Sequence, residues 1–138
     1  MFNKKTFIVA EIGNNHEGDY KIAKELVIQA AKTGVDAVKF QTFKVSEFLS
    51  KKSDRYNFYK KFELTKKNFL DLYYLAKKLG LFFISTPLDI PSVKFLEKFA
   101  DCLKISSADI DYYPLVEAIK KTKKPVIIST GMSDLKRI

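Results

Sequence analysis

The residues able to do chemistry sit where short apolar runs finish. Glu11 closes a run that begins at Phe7, and Gly13-Asn14-Asn15-His16-Glu17-Gly18 follows it. Lys39 and Gln41 fall in a run from Ala37 to Phe43, and Thr86 follows a run from Leu81 to Ser85. Lys104 lies in the run Leu103 to Ser106, with Ser107 and Asp109 just after it, and Ser129 closes the run that starts at Pro125. This set suits a small anion, phosphate or carboxylate. Lysine supplies point charge, while hydroxyls and turn amides supply directed hydrogen bonds. A lysine inside an apolar strand is costly unless something offsets its charge. For Lys39 alone, a structural pair with Glu11 and a bound anion explain the sequence equally well. Two lysines at corresponding ends of separate strands favour a site. Glu11 and Asp109 can serve as general acid or base or orient a hydroxyl, and Asp109 has the alternative of capping a helix that starts at Pro114. His16, the single histidine, makes no metal site alone and reads as a loop anchor. Thr130-Gly131 has the look of a phosphate-binding turn, and Tyr112 and Tyr113 read as packing or rim residues.

These strand ends must be brought to one face, and the pattern says how. Apolar positions recur at helical spacing from about Asp19 to Thr33, and Gly34 stops that helix. Thr65 caps a second helix running to about Leu79, with Phe69, Leu72, Tyr73 and Ala76 on one face and Gly80 as its stop. Further helices start near Pro91 and at Pro114. Strand and helix therefore alternate, and continuous apolar strands imply a parallel sheet covered by helices. The interval between the second and third strands holds an insertion, Lys44 to Leu64, rich in lysine and aromatics. Its place after a strand's C-terminal end predicts a lid or partner-contact segment, the alternative being an extra surface helix.

Composition bounds the rest. The chain has 138 residues, 46% of them hydrophobic and 30% charged, with 5 Gly and 4 Pro, which excludes disordered and collagen-like chains. No apolar run reaches the roughly 18–20 residues of a membrane span, and the basic start lacks a signal-peptide pattern; a cytoplasmic protein is expected. The lone Cys102 can form neither an intrachain disulfide nor a cysteine-rich zinc site, and reads as a buried inert thiol. Net charge is +9, yet among 25 basic residues only Arg55 and Arg137 are arginine. Nucleic-acid readers favour arginine on one face, whereas these lysines spread over every helix. No nucleic-acid partner is expected, and the surface attracts small anions.

Taken in order, Ala10-Glu11-Ile12-Gly13-Asn14-Asn15-His16-Glu17-Gly18, Val38-Lys39-Phe40-Gln41-Thr42, Phe83-Ile84-Ser85-Thr86-Pro87, Leu103-Lys104-Ile105-Ser106-Ser107-Ala108-Asp109 and Ile127-Ile128-Ser129-Thr130-Gly131-Met132 closely resemble the sialic acid synthase family. That family includes N-acetylneuraminate, legionaminate and pseudaminate synthases. The resemblance implies an α/β fold, a (β/α)₈ TIM barrel. It implies condensation of phosphoenolpyruvate with an N-acetylhexosamine of N-acetylmannosamine type to a nine-carbon 2-keto sugar acid, with phosphate released. By position, Lys39, Thr86, Lys104, Ser107 and Ser129 match residues that hold phosphoenolpyruvate. Glu11 and Asp109 match catalytic carboxylates, and Gln41 matches a motif position at the site floor. Bacterial sialate synthases often carry Glu after Gly-Ser-Gly where this chain has Asp109 after Ser106-Ser107-Ala108. A divalent metal, Mn²⁺ or Mg²⁺, is implied, with its ligands on later strands outside this chain, as is a homodimer for a full-length parent.

A whole barrel of this type takes about 250 residues. The 138 residues are therefore expected to form its N-terminal portion, about five β/α units, and to lack synthase activity alone. Two other readings compete: an inactive piece that at most binds phosphoenolpyruvate, and another phosphoenolpyruvate-condensing barrel of the 3-deoxy-octulosonate-phosphate synthase type. Scarce arginine disfavours the latter, whose substrate carries a second phosphate.

Overall fold

Glycines and caps divide the chain into alternating strands and helices. The computed structural model describes residues 6–136; the residues ahead of Thr6, and Arg137 and Ile138, lie outside them. The order is β1 (Val9–Gly13), α1 (Tyr20–Lys32), β2 (Ala37–Thr42), α2 (Val45–Phe48), α3 (Tyr56–Lys60), α4 (Lys66–Lys78), β3 (Phe82–Pro87), α5 (Ile90–Leu96), β4 (Cys102–Ile105), a 3₁₀ turn (Ser107–Asp109), α6 (Tyr113–Lys121) and β5 (Val126–Ile128). Helix starts follow local hydrogen bonding. Asp19 accepts from the Lys21 and Ile22 amides ahead of α1. Thr65 and Asn68 form a reciprocal capping box on α4. Gly34 and Gly80 follow α1 and α4 as the sequence predicts.

The strands form one five-stranded sheet in the order β1-β2-β3-β4-β5, every pair parallel. Sequential order with a helix after each of β1 to β4 is the arrangement of consecutive units in a (β/α)₈ barrel. The two sheet faces differ in kind. Ile12, Val38, Phe40, Phe83, Leu103 and Ile105 point toward the helices and are buried there with Val27, Phe69, Leu72, Leu96, Leu115 and Ile119. Phe40 stacks on Phe83 at 5.4 Å and meets Phe69 edge-on at 6.3 Å. Each such side chain contributes about 1.5–3 kcal/mol by leaving water. The opposite face has an apolar layer of Ala37, Ile84 and Cys102, against which Phe7, Val9 and Ile127 pack. Two-residue alternation then puts Glu11, Lys39, Gln41, Thr86 and Lys104 one step further along the same face. Cys102 is buried, and burial pushes its thiol pKa up, in keeping with an inert role.

Some boundaries differ from the sequence reading. β1 starts at Val9, β3 runs on to Pro87, and β5 is only Val126–Ile128, which leaves Ser129 in the turn beyond it. The insertion contains two short helices, α2 and α3, where the alternative reading expected one extra surface helix. Asp109 does not cap α6; it sits in the 3₁₀ turn and accepts a hydrogen bond from the Ser106 hydroxyl, and Tyr112 holds the cap position.

Candidate active site

Above the apolar layer a cavity of about 570 Å³ opens at the C-terminal ends of β2, β3 and β4. That volume suits a small ligand. Lys39, Gln41, Thr86 and Lys104 line its floor; Ser106, Ala108 and Asp109 come from the turn after β4. Register explains the convergence. Glu11 pairs with Lys39, and Gln41 pairs with Thr86, across adjacent parallel strands. A register shift between Glu11 and Gly13 bends the end of β1, the usual means of re-aiming a strand-end side chain.

The electrostatics are unbalanced. Glu11 forms an ion pair with Lys39, whose side chain is 16% exposed while that of Glu11 is 51% exposed. This is the structural pairing that the sequence allowed for one lysine. Lys104 has no carboxylate in contact among the described residues; its ammonium donates to the Ile105 carbonyl at 2.5 Å. Burial pushes the Lys104 pKa down, and the Lys39 charge pushes it further, against the opposing pull of Glu11 and Asp109. A small anion between the two ammoniums would relieve both penalties.

Of the residues singled out from the sequence, Lys39, Gln41, Thr86, Lys104 and Asp109 share the cavity wall. Glu11 reaches it only through Lys39. Ser107 lies in the 3₁₀ turn and Ser129 past β5, its amide bonded to the Ile105 carbonyl at 3.1 Å; neither lines the cavity. Gln41 accepts from the Asn14 side chain at 2.9 Å, which ties the β1–α1 loop to the site. Sequence reasoning missed Glu47 and Phe48 of α2 and Ser106, which also line the cavity. The lid reading of the insertion pointed toward α2 without naming its residues. Tyr112 lines the rim, whereas Tyr113 is 69% exposed.

His16 anchors its loop as expected. The ring is fully buried and Nδ1 accepts the Gly18 amide at 3.0 Å, so the neutral ring carries its proton on Nε2. Burial lowers its pKa from the model-peptide value of 6.5. The unfolded chain therefore takes up a proton below about pH 6.5 that the folded chain resists, and stability falls as pH drops through that range. Denaturant titrations at pH 7.5 and 5.5 are expected to differ by no more than about 1.4 kcal/mol per pH unit. In His16→Gln that part of the difference disappears; an unchanged difference would mean His16 is not its source.

Among the described residues no three histidine, cysteine or carboxylate side chains converge to hold a metal ion. The donor set of the described residues thus does not fit a complete divalent site. No helix among them is long and apolar enough to cross a membrane.

Four consecutive β/α units and a fifth parallel strand, with a cavity carrying Lys39, Thr86 and Lys104 at the strand C-termini, are the arrangement of the first part of a (β/α)₈ barrel. Comparison narrows the class. The profile of the NeuB family matches residues 26–138, and the chain belongs to that family of sialic acid synthases. It is 51% identical to an uncharacterised protein of Methanocaldococcus jannaschii, over 96% of this chain and 40% of the relative. It is 40% identical to N,N'-diacetyllegionaminic acid synthase of Legionella pneumophila, over 96% of this chain and 41% of that enzyme. The crystal structure of N-acetylneuraminic acid synthetase from Leptospira borgpetersenii in complex with citrate superposes with a TM-score of 0.92 at 34% identity, covering 98% of this chain and 48% of that one. The chain thus spans about 40% of the length of the curated relatives it matches.

Proposed function

We propose that this chain binds phosphoenolpyruvate for a synthase that joins it to an N-acetylhexosamine of N-acetylmannosamine type. The observation that carries the reading is the convergence of two lysines on one cavity: Lys39, paired with Glu11, and Lys104, which contacts no carboxylate among the described residues. Membership of the family supplies the reaction class. In this reading C3 of the enol phosphate bonds to the aldehyde carbon of the open-chain sugar, and the aldehyde oxygen takes a proton. Water adds at C2 and the bond from C2 to the phosphate oxygen breaks, leaving a 2-keto acid and inorganic phosphate. Lys39, Thr86 and Lys104 hold the phosphoenolpyruvate. Ser107 and Ser129 reach it only if their turns close over it. Asp109 is the proton carrier, Glu11 fixes the direction of the Lys39 ammonium, and Gln41 ties the β1–α1 loop to the floor.

Two preparations test the proposal. The purified 138-residue chain is expected to melt at a higher temperature with phosphoenolpyruvate and to release no phosphate. Protein made from the complete gene is expected to release phosphate only when phosphoenolpyruvate and N-acetylmannosamine are both present. No thermal shift in the first, or phosphate release without the sugar in the second, overturns it.

A further inference from the structure

The cavity has a wall that the proposed reaction has not used. Glu47 lines it from α2, together with Phe48. Its carboxylate makes no hydrogen bond or ion pair with any described residue. Nor is α2 a loose flap. Its first two free amides are satisfied from elsewhere in the fold, Lys44 donating to Asp89 at 2.8 Å and Val45 to Glu63 at 2.7 Å. Val45 is fully buried. Phe48 packs edge-on against Phe43 at 5.4 Å and Tyr59 at 5.9 Å. A four-residue helix with so many external ties holds an unused carboxylate at the mouth of a cationic pocket.

We infer that Glu47 contacts the acceptor sugar and selects an uncharged acceptor over a phosphorylated one; this rests on the synthase reading above. With phosphoenolpyruvate on the two floor lysines, the α2 wall is the part of the cavity left to the acceptor among the described residues. There it meets Glu47 and Asp109, with Phe48, Leu88 and Tyr112 as apolar surface, and the cavity lining holds no cation beyond Lys39 and Lys104. A carboxylate accepts hydrogen bonds from sugar hydroxyls and repels a phosphate monoester. Lys44 and Lys66 border a separate cavity of about 350 Å³ that also touches Glu47.

The test uses protein made from the complete gene, with N-acetylmannosamine and its 6-phosphate as acceptors and phosphate release as the readout. Wild type is expected to prefer the free sugar. Glu47→Gln is expected to raise KM for the free sugar about tenfold with KM for phosphoenolpyruvate unchanged, because one charged acceptor of a hydrogen bond is lost. Glu47→Lys is expected to shift the kcat/KM ratio toward the phosphorylated sugar by about tenfold or more. An unchanged ratio in Glu47→Lys, or a wild-type preference for the phosphate, overturns the inference alone. Failure of every acceptor to release phosphate overturns the synthase reading and the inference with it.

Discussion

Lys104→Met is expected to weaken phosphoenolpyruvate binding by about a hundredfold or more while leaving the unliganded chain as stable as wild type. The two halves of this expectation come from one fact. In the unliganded chain Lys104 is an ammonium with no contacting carboxylate, pushed toward neutrality by burial and by Lys39. A side chain in that position contributes little to folding, and an apolar one of similar length removes the desolvation penalty. With the ligand present the same ammonium faces a phosphate or carboxylate in a partly enclosed cavity. Losing one partner of such a charged pair typically costs about 2–5 kcal/mol, which is the expected drop in affinity. Melting curves with and without phosphoenolpyruvate separate the halves. The expected result is an unliganded melting temperature at or above wild type with no ligand-induced rise. A structural role alone predicts the reverse, a lower melting temperature with the ligand shift intact. Lys39→Met is the useful contrast, since it also strands Glu11; that carboxylate is 51% exposed, and water supplies most of what the ammonium did.

The sequence carried most of the scaffold because local chemistry set it. Asp19, Thr65, Gly34 and Gly80 bound α1 and α4 within a residue of the expected ends. On β2, which the sequence reading took as a continuous apolar run, the structure puts Lys39 and Gln41 at the cavity and buries Val38 and Phe40 in the core. What stayed hidden depends on partners far along the chain. The helix α2 has no cap of its own and is held by Asp89 and Glu63, so no local signal marked Glu47 or Phe48. The Ser106-Ser107 pair is a second case. Either hydroxyl fits an anion site by type, but the turn after β4 sends Ser106 to the cavity and to Asp109, and Ser107 into the 3₁₀ turn. Ser129 falls short because β5 ends at Ile128.

The contact that joins the β1–α1 loop to the insertion gives the largest expected change in stability. Gly18 has φ +81, and a Cβ there would meet the Lys61 carbonyl oxygen at 1.8 Å and its carbon at 3.0 Å. Both are backbone atoms, so no side-chain rotation relieves the overlap. Gly18→Ala must therefore push the segment before α4 away from the His16 loop. Gly34 supplies the control: its φ is +76, yet nothing lies within 4 Å of an added Cβ. Gly34→Ala pays only the left-handed backbone cost of about 1–2 kcal/mol. Gly18→Ala pays that and the overlap, roughly another 1–3 kcal/mol or more on the scale of overpacked sites. Denaturant unfolding of the two variants isolates the contact, because backbone strain is common to both. The displaced segment also carries α2, so Gly18→Ala is expected to expose the insertion to proteolysis. Phosphoenolpyruvate affinity is expected to change by only a fewfold, since Lys39 and Lys104 sit on β2 and β4. Equal destabilisation of the two variants would mean that the insertion is not held by this contact, and α2 would then lose one of the supports that keep Glu47 at the cavity.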